Sequence, residues 1–170
     1  IYAQRYSFDG TPIGSNFMIN DNSGNWSQYW PSCYGDKYGN TIVSWVDQRN
    51  TDNYDIYAQR ISPEGILLGN NFKVNSDEGE STTLRPEIII DHLQNFVIVW
   101  EDKRNGHFDI YAQRYFNDGS PNGDNFKINE DSPESSQRNP AVTIDSEGNF
   151  IVCWEDSRDD FYDVYARRYN

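Results

Sequence analysis

The stretch Phe96-Val97-Ile98-Val99-Trp100-Glu101-Asp102-Lys103-Arg104-Asn105-Gly106, followed by Asp109-Ile110-Tyr111-Ala112-Gln113-Arg114-Tyr115, decides the fold. Phe96 to Trp100 is apolar at every position, too short for a helix and long enough for a strand covered on both faces. Glu101 to Gly106 is polar and ends in glycine, which suits a reversal. Asp109 to Tyr115 then alternates with period two, the pattern of a second strand. Working outward, Pro86-Glu87-Ile88-Ile89-Ile90-Asp91 is a β-branched run closed by the turn-prone His92-Leu93-Gln94-Asn95. Downstream, Asp118-Gly119 and Gly123 mark a further reversal, and Asn125-Phe126-Lys127-Ile128-Asn129 is polar enough for a sheet edge. No segment carries a helical period over ten residues, so the chain reads as all-β.

The same unit recurs along the chain. Ile1-Tyr2-Ala3-Gln4-Arg5 returns at Ile56, at Ile110 and, as Val164-Tyr165-Ala166-Arg167-Arg168, at Val164, with spacings of 55, 54 and 54 residues. Residues 1–170 form a single repeat domain, divided as 1–55, 56–109, 110–163 and a partial fourth unit, 164–170. A fixed period of this size marks units that cannot bury their apolar faces alone. Four antiparallel strands per unit, apolar in the middle and polar at the last, predict a β-propeller blade of about 54 residues, with the first strand at the axis and the fourth at the rim. The chain opens on a third strand and closes on a third strand, so its ends are offset within the blade. Three blades do not close a ring, which typically takes about four to eight. The expected partner is a second or third copy of the chain, giving six or nine blades as a homo-oligomer, or the rest of a longer parent propeller. A β-trefoil, also built of three four-stranded repeats, is the alternative, ranked second because trefoil units are usually shorter.

The chain has 170 residues, a net charge of −13, and 12 Tyr, 9 Phe and 5 Trp. Asp131, Glu134, Asp145, Glu147, Asp156, Asp159, Asp160 and Asp163 crowd the third repeat. Such a field repels phosphate backbones and anionic lipid, arguing against nucleic-acid and membrane partners. Cys33 and Cys153 align with apolar residues or Ser44 in the other repeats, and are expected to be mostly buried, unpaired thiols. The first residue is not Met and no leader-like segment follows it, so the expectation is a mature product or a piece of something longer.

Three segments, Trp45-Val46-Asp47-Gln48-Arg49, Trp100-Glu101-Asp102-Lys103-Arg104 and Trp154-Glu155-Asp156-Ser157-Arg158, each precede an Asp-(Ile/Val)-Tyr run starting at Asp55, Asp109 or Asp163. This pattern resembles the TolB-type, WD-like β-propeller repeats, and the long repeat arrays of bacterial secreted and cell-surface proteins. Their Ser-Pro-Asp-Gly signature is matched only by Ser62-Pro63-Glu64-Gly65. The resemblance implies an extracellular or periplasmic scaffold or binding protein. From the residues, the three Arg are placed to pair with Asp55, Asp109 and Asp163 and tie the hairpin, a geometry suited to the guanidinium fork. Their alternative role is a ring of cations for an anionic ligand. The three Trp fill the gaps between blades, each with an indole N–H to satisfy.

The loops 21–30, 76–85 and 130–139 differ most between repeats and share one face with the turn after the second strand. They present Trp26, Tyr29, Trp30, Arg85 and Arg138, with His107 in a neighbouring turn, as candidate contacts for a protein or glycan ligand. Catalytic signals are thin. His92 and His107 lie in different turns without metal-ligand spacing, no nucleophile elbow or phosphate loop is present, and no acidic pair stands out from the threefold pattern. Asp156-Ser157-Arg158-Asp159-Asp160 is oxygen-rich, but its internal Arg favours a solvated turn over a calcium site. No cofactor or metal is implied. The reading is a non-catalytic scaffold, with a carbohydrate-binding or carbohydrate-active β protein as the alternative.

Overall fold

The computed structural model describes residues 1–21, 24–50, 54–76, 81–130, 135–159 and 161–170. Asp131, Glu134 and Asp160 of the acidic cluster lie outside them. Among the described residues thirteen strands form four antiparallel sheets, each a simple meander. A two-stranded sheet holds β1 (Tyr2–Tyr6) and β2 (Pro12–Met18). A four-stranded sheet follows, of β3 (Gln28–Gly35), β4 (Thr41–Asp47), β5 (Asp55–Ile61) and β6 (Leu67–Lys73). The next four-stranded sheet holds β7 (Thr83–Ile90), β8 (Phe96–Asp102), β9 (Asp109–Tyr115) and the short β10 (Phe126–Lys127). The last has three strands, β11 (Gln137–Ile144), β12 (Phe150–Asp156) and β13 (Asp163–Tyr169).

These sheets are propeller blades set radially. The first strands β3, β7 and β11 contact one another in succession at the axis. The trefoil alternative fails here, because among the described residues no strand pairs outside its own meander to close a barrel. Every residue of β8 is buried, as its two-sided apolar run requires.

Three apolar clusters glue the interfaces between blades, one Trp in each. Trp45 packs with Ile19, Val43 and Tyr57, and with Ala3 and Phe17 of the two-stranded sheet. Trp100 joins Ile42, Val46 and Ile56 of the preceding blade to Ile88 and Ile98 of its own. Trp154 joins Val99, Ile110 and Ile128 to Val152. Each indole N–H donates to the carboxylate two residues on, at 2.8 Å for Asp47, 2.8 Å for Asp102 and 3.1 Å for Asp156.

The guanidinium pairing departs from expectation. Arg49, Arg104 and Arg158 bind Asp47, Asp102 and Asp156, at 2.8, 2.6 and 2.5 Å, and stack over Tyr57, Tyr111 and Tyr165. Asp55 and Asp109 instead pair with Lys73 and Lys127 of the outermost strands and accept from Asn75 and Asn129. The reason is local: a carboxylate at the end of the second strand lies two residues from the Arg, and also receives its backbone N–H.

Cys33 also departs. It is exposed, and Cys153 is half-buried, both unpaired. The sheet beside β3 supplies only β1 and β2, so the face of β3 around Cys33 borders a cavity of about 390 Å³ lined by Ile1, Ala3, Phe17 and Val43. That cavity occupies the place where inner strands sit in the complete blades, which makes it a feature of the architecture.

Candidate functional site at the propeller axis

The inner strands do not begin at their prolines, as their sequence pattern suggests, but run through them. In β3, β7 and β11 the pairing register shifts between Tyr29 and Ser32, Leu84 and Glu87, and Arg138 and Ala141. A proline has no N–H for the ladder, so it is accommodated where the ladder is already interrupted. The residue before each proline, Trp30, Arg85 or Asn139, is left-handed, with φ of 46°, 50° and 52°. That region is costly for a residue with a Cβ, and the following proline disfavours it further. Threefold recurrence of the same strained bulge at one height of the axis is the kind of local strain found at binding sites.

Together these bulges line a cavity of about 310 Å³, walled by Trp30, Arg85, Glu87, Asn139 and the three prolines. Its volume is within the range of small-ligand sites, at the lower end. Trp30 is 48 % exposed and lies 6.0 Å from the Tyr29 ring, which in turn lies 6.3 Å from Tyr54. The Arg85 guanidinium sits 5.9 Å from the Trp30 ring. Glu87 is exposed and accepts the Ser32 hydroxyl at 3.0 Å, bridging two blades.

Behind this wall lies Glu101, which is completely buried. Its Oε1 accepts the Asn139 backbone N–H at 2.8 Å and stands 3.5 Å from Arg85 Nε. Its Oε2 has no hydrogen-bond partner among the described residues. Burial pushes the Glu101 carboxyl above its ordinary range, against the Asn139 hydrogen bond and the nearby Arg85 and Arg138, with Glu155 adding to the rise. Glu155 accepts Asn139 Nδ2 at 2.7 Å, so Asn139 is held by one carboxyl on its backbone and another on its side chain.

Of the residues singled out in the sequence, Tyr29, Trp30 and Arg85 are brought together here. Arg138 lies one residue from the cavity wall, its guanidinium 4.3 Å from the Phe108 ring and its buried Nε without a hydrogen-bond partner among the described residues. Trp26 and His107 are exposed and do not line the cavity. Sequence reasoning missed Glu87, Glu101, Asn139 and Glu155. The signal was nevertheless present. Aligning the repeats puts Trp30, Arg85 and Asn139 in the one slot before a proline, Ser32, Glu87 and Ala141 in another, and Val46, Glu101 and Glu155 in a third. The acidic residues therefore do break the threefold pattern. Among the described residues no group of three or more His, Cys, Asp or Glu is placed to hold a metal ion.

An aromatic platform, a guanidinium, an amide and a carboxylate around one small cavity can stack on a sugar ring and bind its hydroxyls. No protein-family model matches the chain, and no curated protein matches it by sequence. Solved structures do match. An endo-arabinase from Bacteroides thetaiotaomicron superposes with a TM-score of 0.58 at 19 % identity, over 96 % of this chain and 63 % of that one. This chain has the β-propeller fold. An α-L-arabinanase from Penicillium chrysogenum, complexed with arabinobiose, gives 0.60 at 12 % identity over 83 % of this propeller and 46 % of its own chain. A mutant α-L-arabinofuranosidase from Fusarium graminearum, complexed with an iminosugar inhibitor, gives 0.66 at 15 % identity over 96 % and 53 %. The propeller thus spans less than two thirds of each. The expectations of a non-catalytic scaffold and of no enzymatic role are corrected by these likenesses, since the similar folds are those of an endo-arabinase, an α-L-arabinanase and an α-L-arabinofuranosidase. The carbohydrate alternative is the reading they favour.

Proposed function

We propose that this chain is a carbohydrate-active β-propeller module whose glycan site is the axial cavity. One observation carries the reading: three strained bulges converge at the axis and present Trp30, Arg85 and Asn139 to one cavity. The half-exposed Trp30 indole offers the apolar face of a sugar something to stack on, while Arg85, Glu87 and Asn139 supply donors and acceptors for its hydroxyls. Similarity in fold to arabinan-cleaving enzymes makes arabino-oligosaccharides the first ligands to try. Hydrolysis through two carboxyl groups would draw on Glu87 in the wall, with its counterpart elsewhere on the completed ring. We also infer that other blades complete the circle, from further copies of this chain or from a longer parent, and that it works outside the cytoplasm.

Calorimetric titration with arabino-oligosaccharides, alongside a reducing-sugar assay on arabinan, tests the proposal. Trp30→Ala is expected to weaken binding by about tenfold, the loss of one stacking contact. Unchanged affinity in that variant, or neither binding nor cleavage by the parent chain across a glycan panel, would sink it.

A further inference from the structure

Val46, Glu101 and Glu155 occupy the same position in successive blades, directly after the interface Trp. Val46 and Glu101 are both fully buried. Val46 shows that an apolar side chain meets the structural need of this position, packing in the interface cluster. A carboxyl there is unfavourable, for among the described residues its desolvation is offset by a single hydrogen bond at Oε1 while Oε2 has none. Such a residue is explained by what it holds. Oε1 binds the backbone N–H of Asn139 and lies beside Arg85 Nε, so one buried group reaches two of the three left-handed residues of the axial cavity, on adjacent blades.

We propose that Glu101 is a positioning residue for the axial site, its buried carboxyl fixing the Asn139 bulge and the Arg85 side chain in the arrangement that receives a ligand. This rests on the axial cavity being the binding site. With Nδ2 of Asn139 engaged by Glu155, the amide oxygen is left to accept from a ligand, and Glu101 fixes where that amide stands. The charged groups facing Glu101 are Arg85 from β7, Arg138 from β11 and Glu155 from β12. The two cations favour its ionised form, whereas burial and Glu155 favour the protonated one. Protonation keeps an acceptor for Asn139 but weakens the hold on Arg85, so ligand affinity rises with pH as Glu101 ionises.

The test compares Glu101→Val, which copies Val46, with Glu101→Gln, which keeps the acceptor oxygen without the charge. Glu101→Val is expected to melt close to the parent, because an apolar side chain replaces a poorly satisfied carboxyl while the exposed Asn139 and Arg85 can turn to water. It should bind an arabino-oligosaccharide about tenfold more weakly. Glu101→Gln, uncharged like the protonated carboxyl, should bind at every pH with the weaker affinity that the parent shows at low pH. A readout independent of sugar is the Asn139 amide resonance in 15N-resolved NMR, which should show in the parent a titration with a midpoint above that of an ordinary glutamate, a phase absent from both variants. An Asn139 amide that ignores pH in the parent, or that is unmoved by Glu101→Val, overturns the role of Glu101 whether or not any sugar binds. A titrating amide in a chain that binds no glycan overturns the axial-site reading instead.

Discussion

Asp156 shows how much one residue can organise. It is fully buried at the end of β12 and accepts from the Trp154 indole, from Arg158 twice and from Gln137. Burial opposes its charge, yet these hydrogen bonds prevail and lower its pKa from 3.8 to about 2. A depressed carboxylate contributes stability that is fully present above its unfolded value and lost as pH falls from 3.8 toward about 2. Asp156→Asn is therefore expected to cost about 2 kcal/mol at neutral pH, and to flatten the stability profile in that acid window. Urea melts at pH 7, 4 and 2.5 measure both effects, and an equal loss at every pH would contradict this account. The aspartate was legible in the sequence as part of the Trp-x-Asp-x-Arg motif. Its partner was not, because sequence shows that an Arg and several carboxylates share a hairpin but not which of them the backbone turns toward the guanidinium.

At the scale of the element, the hairpin between the first and second strands carries a natural control. Gly39, Gln94 and Gly148 hold the same place in successive turns, with φ of 92°, 69° and 89°. Two blades use glycine where left-handed backbone is needed, and the third strains a glutamine. Gln94→Gly should stabilise the protein by about 1 kcal/mol, the approximate cost of a side chain in that region. The melting temperature should rise, and a fall would mean that the Gln94 side chain contributes packing which outweighs the strain. Between blades, Arg60 reaches the turn of the next blade and donates to the Asn117 carbonyl at 2.7 Å, as Arg5 donates to Pro63 at 2.6 Å. Gly119 is close under this clamp, where a Cβ would lie 3.0 Å from Arg60 Cδ. The repeated Arg of the third strand thus locks neighbouring blades in register, a role its place in a polar pattern does not advertise. The inner strands illustrate the same limit, since a proline in a run normally marks a boundary and only the bulge geometry lets the strand continue.

At the scale of the molecule, blade positions of two, four, four and three strands surround the axis. If further copies complete the circle, light scattering should return two or three times 19.8 kDa, and a mass of 19.8 kDa would count against self-assembly. A copy lending β2 to the β11–β13 sheet must leave its own β1 outside, because β1 and β13 are both third strands. Glycan addition should leave that mass unchanged if the site lies wholly within the blades described.

The sequence by itself determined the all-β class, the four-stranded unit, its period and the strands on which the chain opens and closes. Those follow from alternation, turn residues and repetition, which are local and written in order along the chain. Only the tertiary structure decided which residues meet at the axis. The axial cavity gathers Trp30, Arg85 and Asn139 from strands about 55 residues apart. The buried Glu101 becomes meaningful only when a neighbouring blade brings Asn139 to it. Convergence of that kind depends on the angle between blades, and no run of residues within one blade encodes it alone.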